Sequence, residues 1–124
     1  MAYSDTLNLV TGDTLPELTF TLRDSNTAAS GQTLDPNNNT TWAPINVTGA
    51  SVKLRLRELG STSVKSTLTC SVSDGSAGKI ITDFPAGTLD TAGTFEGEIE
   101  ITFSSGGVQT VYDLIKLKVR SDFD

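Results

Sequence analysis

The sequence predicts an all-β domain, a two-sheet antiparallel sandwich of about seven strands. Three observations carry that expectation. Apolar and polar residues alternate at period two from end to end, the pattern of half-buried strands. The 124-residue chain is only 36 % hydrophobic and rich in Thr, Ser and Asn, a background in which short apolar runs read as strands. Eleven glycines punctuate those runs. At this length one domain spanning 1–124 is expected, burying roughly two-thirds of its unfolded surface.

The elements follow in chain order. A first short strand covers about Thr6 to Val10 and closes at the turn pair Gly12-Asp13. The second, about Glu17 to Arg23, points Leu18, Phe20 and Leu22 inward and Thr19 and Thr21 outward. A long polar stretch, Asp24 to Asn46, contains "SGQTLDPNNNTTWAP" and lacks apolar alternation, which marks the loop at about 25–45 as an excursion or a functional loop. The third strand, Ala50 to Glu58, alternates Val52, Leu54 and Leu56 inward with Lys53, Arg55 and Arg57 outward. The fourth runs through Val64 to Val72, with Leu68, Cys70 and Val72 on the core side. "SDGSAG" turns into a fifth, Lys79 to Phe84, and "PAGTLDTAG" leads into a sixth that carries "GTFEGEIEITF". "SSGG" at 104–107 is a hairpin signal before the last strand, Val108 to Arg120. That strand changes phase: Val108, Thr110, Tyr112 and Leu114 share one parity, and Ile115, Leu117 and Val119 the other. A β-bulge near Asp113 to Ile115 would account for it.

Composition narrows the chemistry. The net charge of −6 argues against nucleic acid or an anionic membrane as partner, and no stretch approaches the ~20 apolar residues of a membrane span. Met1 to Asp5 lacks the regions of a signal peptide, so synthesis in a cytoplasm is expected. One cysteine permits no intrachain disulfide, and Cys70 reads as a small core residue. Histidine is absent, which removes the commonest general base and transition-metal ligand. No cofactor and no catalytic residue are expected.

"LDTAGTFEGEIEI" resembles the segment entering the sixth strand of immunoglobulin domains, with Phe95 in the place of the corner tyrosine and Gly97 in that of the second disulfide cysteine. Here there is neither a tyrosine hydroxyl nor a disulfide. The wider pattern is similar to the N-terminal immunoglobulin-like domain of phage baseplate upper proteins and to small free-standing tailed-phage structural proteins. It is carried by Gly12-Asp13, "LTFTLRD" (18–24), "NVTGASVKLRLRE" (46–58), "GKIITDFPAGTLDTAGTFEGEIEITF" (78–103) and "YDLIKLKV" (112–119). The resemblance implies an immunoglobulin-like virion protein of tail, baseplate or capsid surface, assembled in a bacterial cytoplasm. Its partners would be other virion proteins in a symmetric, multi-copy assembly.

In an immunoglobulin-like arrangement the sixth strand lies between the third and the seventh. Glu96, Glu98 and Glu100 would then sit between Lys53, Arg55 and Arg57 on one side and Lys116, Lys118 and Arg120 on the other. Carboxylates ~7 Å apart on one strand repel by roughly half a kcal/mol per pair in water. Cross-strand opposite charges contribute about 0.2–1 kcal/mol each, so flanking cations offset the repulsion. Three equivalent solvated carboxylates lack the asymmetry that a glycosidase acid and base require; the row reads as structural.

The polar loop holds the remaining candidates. Asp35, Asn37 and Asn39 have the opening spacing of a calcium loop, but Thr40 occupies the sharp-turn glycine position and Asn46 the closing glutamate position. A solvated turn cluster is the competing reading. Trp42 has three: capping one end of the sandwich, packing on a neighbouring subunit, or stacking on a sugar. The last, with the 25–45 loop as contact, defines the alternative function of a carbohydrate- or receptor-binding module. Tyr3 and Phe123 mark the short terminal arms, Met1 to Asp5 and Ser121 to Asp124, as docking candidates.

Overall fold

A computed structural model describes residues 3–14, 17–85 and 87–123. The described chain is all-β. Its strands are β1 (Tyr3–Val10), β2 (Leu18–Thr21), β3 (Arg23–Ala28), β4 (Trp42–Pro44), β5 (Ser51–Glu58), β6 (Ser66–Asp74), β7 (Lys79–Thr82), β8 (Gly93–Thr102), β9 (Val108–Thr110) and β10 (Leu114–Arg120). A single 3₁₀ turn, Asn39–Thr41, precedes β4.

Hydrogen-bonded neighbours run in the order β1-β10-β8-β5-β6-β7-β2, with β9 also on β8 and a separate pair β3-β4. The path curls because β6 serves two partners. Its first half pairs with β5, from Leu56↔Ser66 to Val52↔Cys70, and its second half with β7, from Ser71↔Ile81 to Asp74↔Lys79. That transfer explains one departure from the alternation pattern. Leu68 and Cys70 are buried as expected, whereas Val72, past the changeover, is 37 % exposed.

Pairing is mixed, not purely antiparallel. β1 lies parallel on β10, from Tyr3↔Leu114 to Val10↔Arg120. Side-chain alternation is the same in both pairing senses, so the sequence pattern cannot distinguish them. Tyr3 to Asp5 accordingly belong to β1, which corrects the expectation of a free N-terminal arm. Of that arm Met1 and Ala2 lie outside the described residues, as does Asp124 at the other end.

The inward rows meet in one apolar cluster that includes Leu18 and Phe20 from β2, Leu22 just after it, Val52, Leu54 and Leu56 from β5, and Ile115, Leu117 and Val119 from β10. Full burial of each such side chain contributes roughly 1.5–3 kcal/mol. Gly97 sits in this layer opposite Leu56 and Ile115. A Cβ there would come within 2.8 Å of Leu54 Cδ1 and 3.3 Å of Leu56 Cδ2, so the glycine makes room for the two leucines.

The predicted last strand is interrupted. Gly97 pairs with Ile115 and Glu100 with Thr110, so β8 supplies residues 98 and 99 where the facing segment supplies 111–114. The two extra residues form the irregularity signalled by the phase change. They turn Val111, Asp113, Leu114 and Ile115 all inward and leave Tyr112 58 % exposed.

The largest correction concerns the polar stretch after β2. It contains β3 and β4, which pair through Arg23↔Pro44, Asp24↔Ala43 and, after a shift, Ala28↔Trp42. Polar side chains and the irregular register hid this pair from a period-two reading.

Candidate functional site

The charge ladder is built largely as expected on the β5 side. Lys53 faces Glu100, Arg55 faces Glu98 and Arg57 faces Glu96. The contact that forms is diagonal: Arg55 Nη1 lies 2.9 Å from Glu100 Oε2, within the reach of long side chains across a pleat. That guanidinium holds the Glu100 carboxyl below its ordinary range, and Glu100 in turn raises Arg55. On the β10 side the expectation needs correction. Lys116 faces Glu96, but Lys118 faces Thr94, and the paired register ends at Val119, before Arg120. Arg120 instead places its guanidinium 5.4 Å from the centroid of the Phe123 ring. Phe123 is 99 % exposed, while the Asp122 amide donates to Thr11 Oγ1 at 3.0 Å, tethering the tail beside the turn after β1. For Tyr3 only the backbone position in β1 is described.

The segment between β3 and β4 is organised by short-range polar contacts. Asp35 Oδ1 accepts from the Asn37 amide at 2.9 Å, and Asn38 Oδ1 accepts from the Thr40 amide at 3.1 Å, capping the 3₁₀ turn. Thr41 Oγ1 accepts from the Asp35 amide at 2.9 Å and donates to Asn38 O at 2.7 Å. Asp35, Asn37 and Asn39 therefore do not converge as a calcium loop would. Asp35 closes a turn, Asn37 offers its backbone to it, and the Asn39 side chain leaves the loop altogether. Among the described residues no group of three or more Cys, Asp or Glu could hold a metal ion.

Trp42 folds inward. It is 2 % exposed, donates Nε1–H to Asp35 O at 2.9 Å, and meets Tyr112 edge-on with ring centroids 6.5 Å apart. A buried indole offers no face to a sugar, and Trp42 packs instead against the interrupted strand of its own chain through Tyr112.

Asn39 carries the least anticipated contact. Its Nδ2 donates to Asp113 Oδ2 at 3.2 Å. Asp113 is only 5 % exposed, and its Oδ1 has no hydrogen-bond partner. An unmet oxygen on a buried carboxylate costs about 1–3 kcal/mol or more, and such an atom calls for an explanation. The irregularity in the β9–β10 segment is what turns this side chain inward. The sequence signal was the phase change itself, which marked the position but not its chemistry.

Asp113 lines a cleft of about 280 Å³. One wall is β2, through Thr19 and Thr21, continuing to Arg23; the other is the 111–113 segment, with Asn39 and Trp42 at the side. Among the described residues β2 pairs with β7 and with no other strand, so the cleft side of β2 carries no further strand. The cleft thus combines an open strand edge, a guanidinium and a buried carboxylate oxygen without a donor. Compared with known proteins, the chain matches no family model and no curated protein.

Proposed function

We propose that the chain is a non-enzymatic structural protein of a tailed-phage virion, an immunoglobulin-like domain of tail, baseplate or capsid surface that acts through contacts with neighbouring subunits. The observation that supports this best is the strand order. β5, β8 and β10 are adjacent in the order of the C, F and G strands of an immunoglobulin sandwich, and β6, β7 and β2 in that of D, E and B. The same strands carry the segments that resemble the phage baseplate domains, so pattern and topology support one reading.

The surface suits a role in assembly. The exposed ladder is answered within its own sheet through Arg55 and Glu100, which reduces its value for docking. Apolar side chains stand out elsewhere: Leu59 and Val64 between β5 and β6, Val108 and Tyr112 along the interrupted strand, and Phe123 on the tail. Scattered apolar residues are ordinary on a monomer, but at loops and a terminus they suit contacts with other subunits. A particle assembled in the cytoplasm and released by lysis requires no disulfide, which suits a chain with a single cysteine.

Gold-labelled antibody against this chain, applied to particles of the phage or prophage that encodes it, tests the reading. Label at the tail tip supports a baseplate protein, and label over the head a decoration protein. Unlabelled particles from a lysate that contains the chain would overturn the proposal.

A further inference from the structure

We propose that the cleft beside β2 accepts an extended segment of another polypeptide as an added strand, and that Asp113 selects a segment bearing a lysine or arginine. The backbone argument comes first. The Leu22 amide donates to Gly78 O, on the β7 side. Backbone groups of successive strand residues point alternately to the two sides. Leu18 and Phe20 therefore use theirs toward β7, the Leu22 carbonyl accepts from the Ile45 amide just past the strand, and the N–H and C=O groups of Thr19 and Thr21 face the open edge. Both threonines line the cleft. An exposed edge of this kind is a template for strand addition, with main-chain hydrogen bonds providing affinity and side-chain pockets specificity.

The charge argument identifies the occupant. Asp113 lines the same cleft, is 95 % buried by its 5 % exposure, and keeps Oδ1 without a donor. A primary ammonium or guanidinium arriving with the segment would supply one. Arg23 also lines the cleft, and neither ion pair found among the described residues involves it. A polycation would meet that guanidinium, so the preference is for one basic residue at one position. The overall charge of −6 favours approach of such a segment at long range.

The inference rests on the virion reading only for naming the donor as a neighbouring subunit; strand acceptance is tested without any particle. A yeast-displayed library of random linear heptapeptides would be selected against the wild-type chain and against Asp113→Asn, and enriched peptides synthesised for affinity and amide-shift mapping. The expected result is an enriched set with one recurrent Lys or Arg, amide shifts along residues 19–22, and at least tenfold weaker binding when norleucine replaces that residue. On Asp113→Asn the basic and norleucine peptides should bind alike. Thr21→Pro, which removes an edge N–H without touching the bonds to β7, should weaken both at least tenfold. Should Asp113→Asn fail to fold, the norleucine and Thr21→Pro comparisons decide alone. No enrichment, enrichment without a basic position, shifts confined elsewhere, or a lysine preference that survives in folded Asp113→Asn would overturn the proposal. Any of these would leave an antibody label on virions standing, and unlabelled virions would leave a positive selection standing.

Discussion

Asn39 donates its side-chain amide to Asp113 Oδ2 at 3.2 Å, joining positions 74 apart in the chain. The bond fastens the β3–β4 excursion to the interrupted strand, and among the described residues it is the one hydrogen bond to a carboxyl that is almost wholly buried. Asn39→Ala should therefore cost more than an ordinary surface truncation, about 1–3 kcal/mol, because it leaves a buried polar group with no partner. Removing both groups, Asn39→Ala with Asp113→Val, should cost less than the sum of the single changes. Urea unfolding of the four proteins measures this. A single mutant within about 0.5 kcal/mol of wild type would show that the carboxylate is satisfied some other way.

Trp42 is the only tryptophan, so its fluorescence reports on the same excursion. With 2 % exposure it should be quenched poorly by acrylamide in the folded protein and fully in urea. Trp42→Phe keeps most of the packing but loses the bond to Asp35 O, a net loss of about 1 kcal/mol. Trp42→Ala should cost ~3–5 kcal/mol. Ready quenching of the native state would contradict the buried position.

Much of the all-β fold was legible because strands with one buried face advertise it at period two. The Lys53-Arg55-Arg57 row opposite Glu100-Glu98-Glu96 follows from alternation plus neighbour order, and the break at 111–114 from a change of parity. Other features leave no periodic trace. The parallel seating of β1 on β10 has the same alternation as an antiparallel one. β3 and β4 are held by polar groups and a shifted register, so no apolar row announces them. The Asn39–Asp113 bond depends on two distant turns being brought together by the core, which no local pattern encodes. Burial of Trp42 likewise depends on Tyr112 arriving from the far end of the chain.

Gly78 and Gly60 offer a comparison of two glycines with positive φ, +70 and +86. A Cβ at Gly60 meets nothing within 4 Å, so Gly60→Ala should cost only the left-handed strain, about 1–2 kcal/mol. At Gly78 it would fall 2.7 Å from Ile45 O and 2.8 Å from Leu22 O, where the turn joins β2 to the segment after β4. Backbone oxygens cannot swing aside as a side-chain tip can. Gly78→Ala should add a further ~1–3 kcal/mol, read as the difference in urea midpoints. Equal losses would mean that the junction yields without cost.

Glu100 should titrate below the ordinary glutamate value of 4.5, because Arg55 bonds to its ionised form. A depressed folded-state value stabilises the fold above the unfolded pKa, and that contribution disappears as pH falls through the lower folded value. The side-chain carboxyl resonance, followed by NMR from pH 6 to about pH 2, should move with a midpoint under 4.5 in wild type. In Arg55→Gln the midpoint should rise toward 4.5, and high salt should narrow the difference because the pair is partly exposed. Identical midpoints in the two proteins would show that the diagonal pair does not persist in solution.

Cys70 tests the core between β5 and β6. The thiol is buried opposite Val52, and burial pushes its pKa from 9.0 up to about 11, with Thr82 acting weakly in the other direction. In the unfolded chain the thiol ionises near 9.0, so between pH 9 and 11 the unfolded state releases a proton that the folded state keeps. Stability from this group is complete below pH 9 and declines as pH rises through that window. Cys70→Ala leaves a cavity whose cost does not vary with pH, so the stability gap between wild type and variant should shrink from pH 8.5 to pH 10.5. Thiolate is the reactive species, so a disulfide reagent at pH 8 should modify native protein slowly and urea-unfolded protein at once. A constant gap together with fast native labelling would place the thiol at the surface and overturn the inward register of β6 at this position.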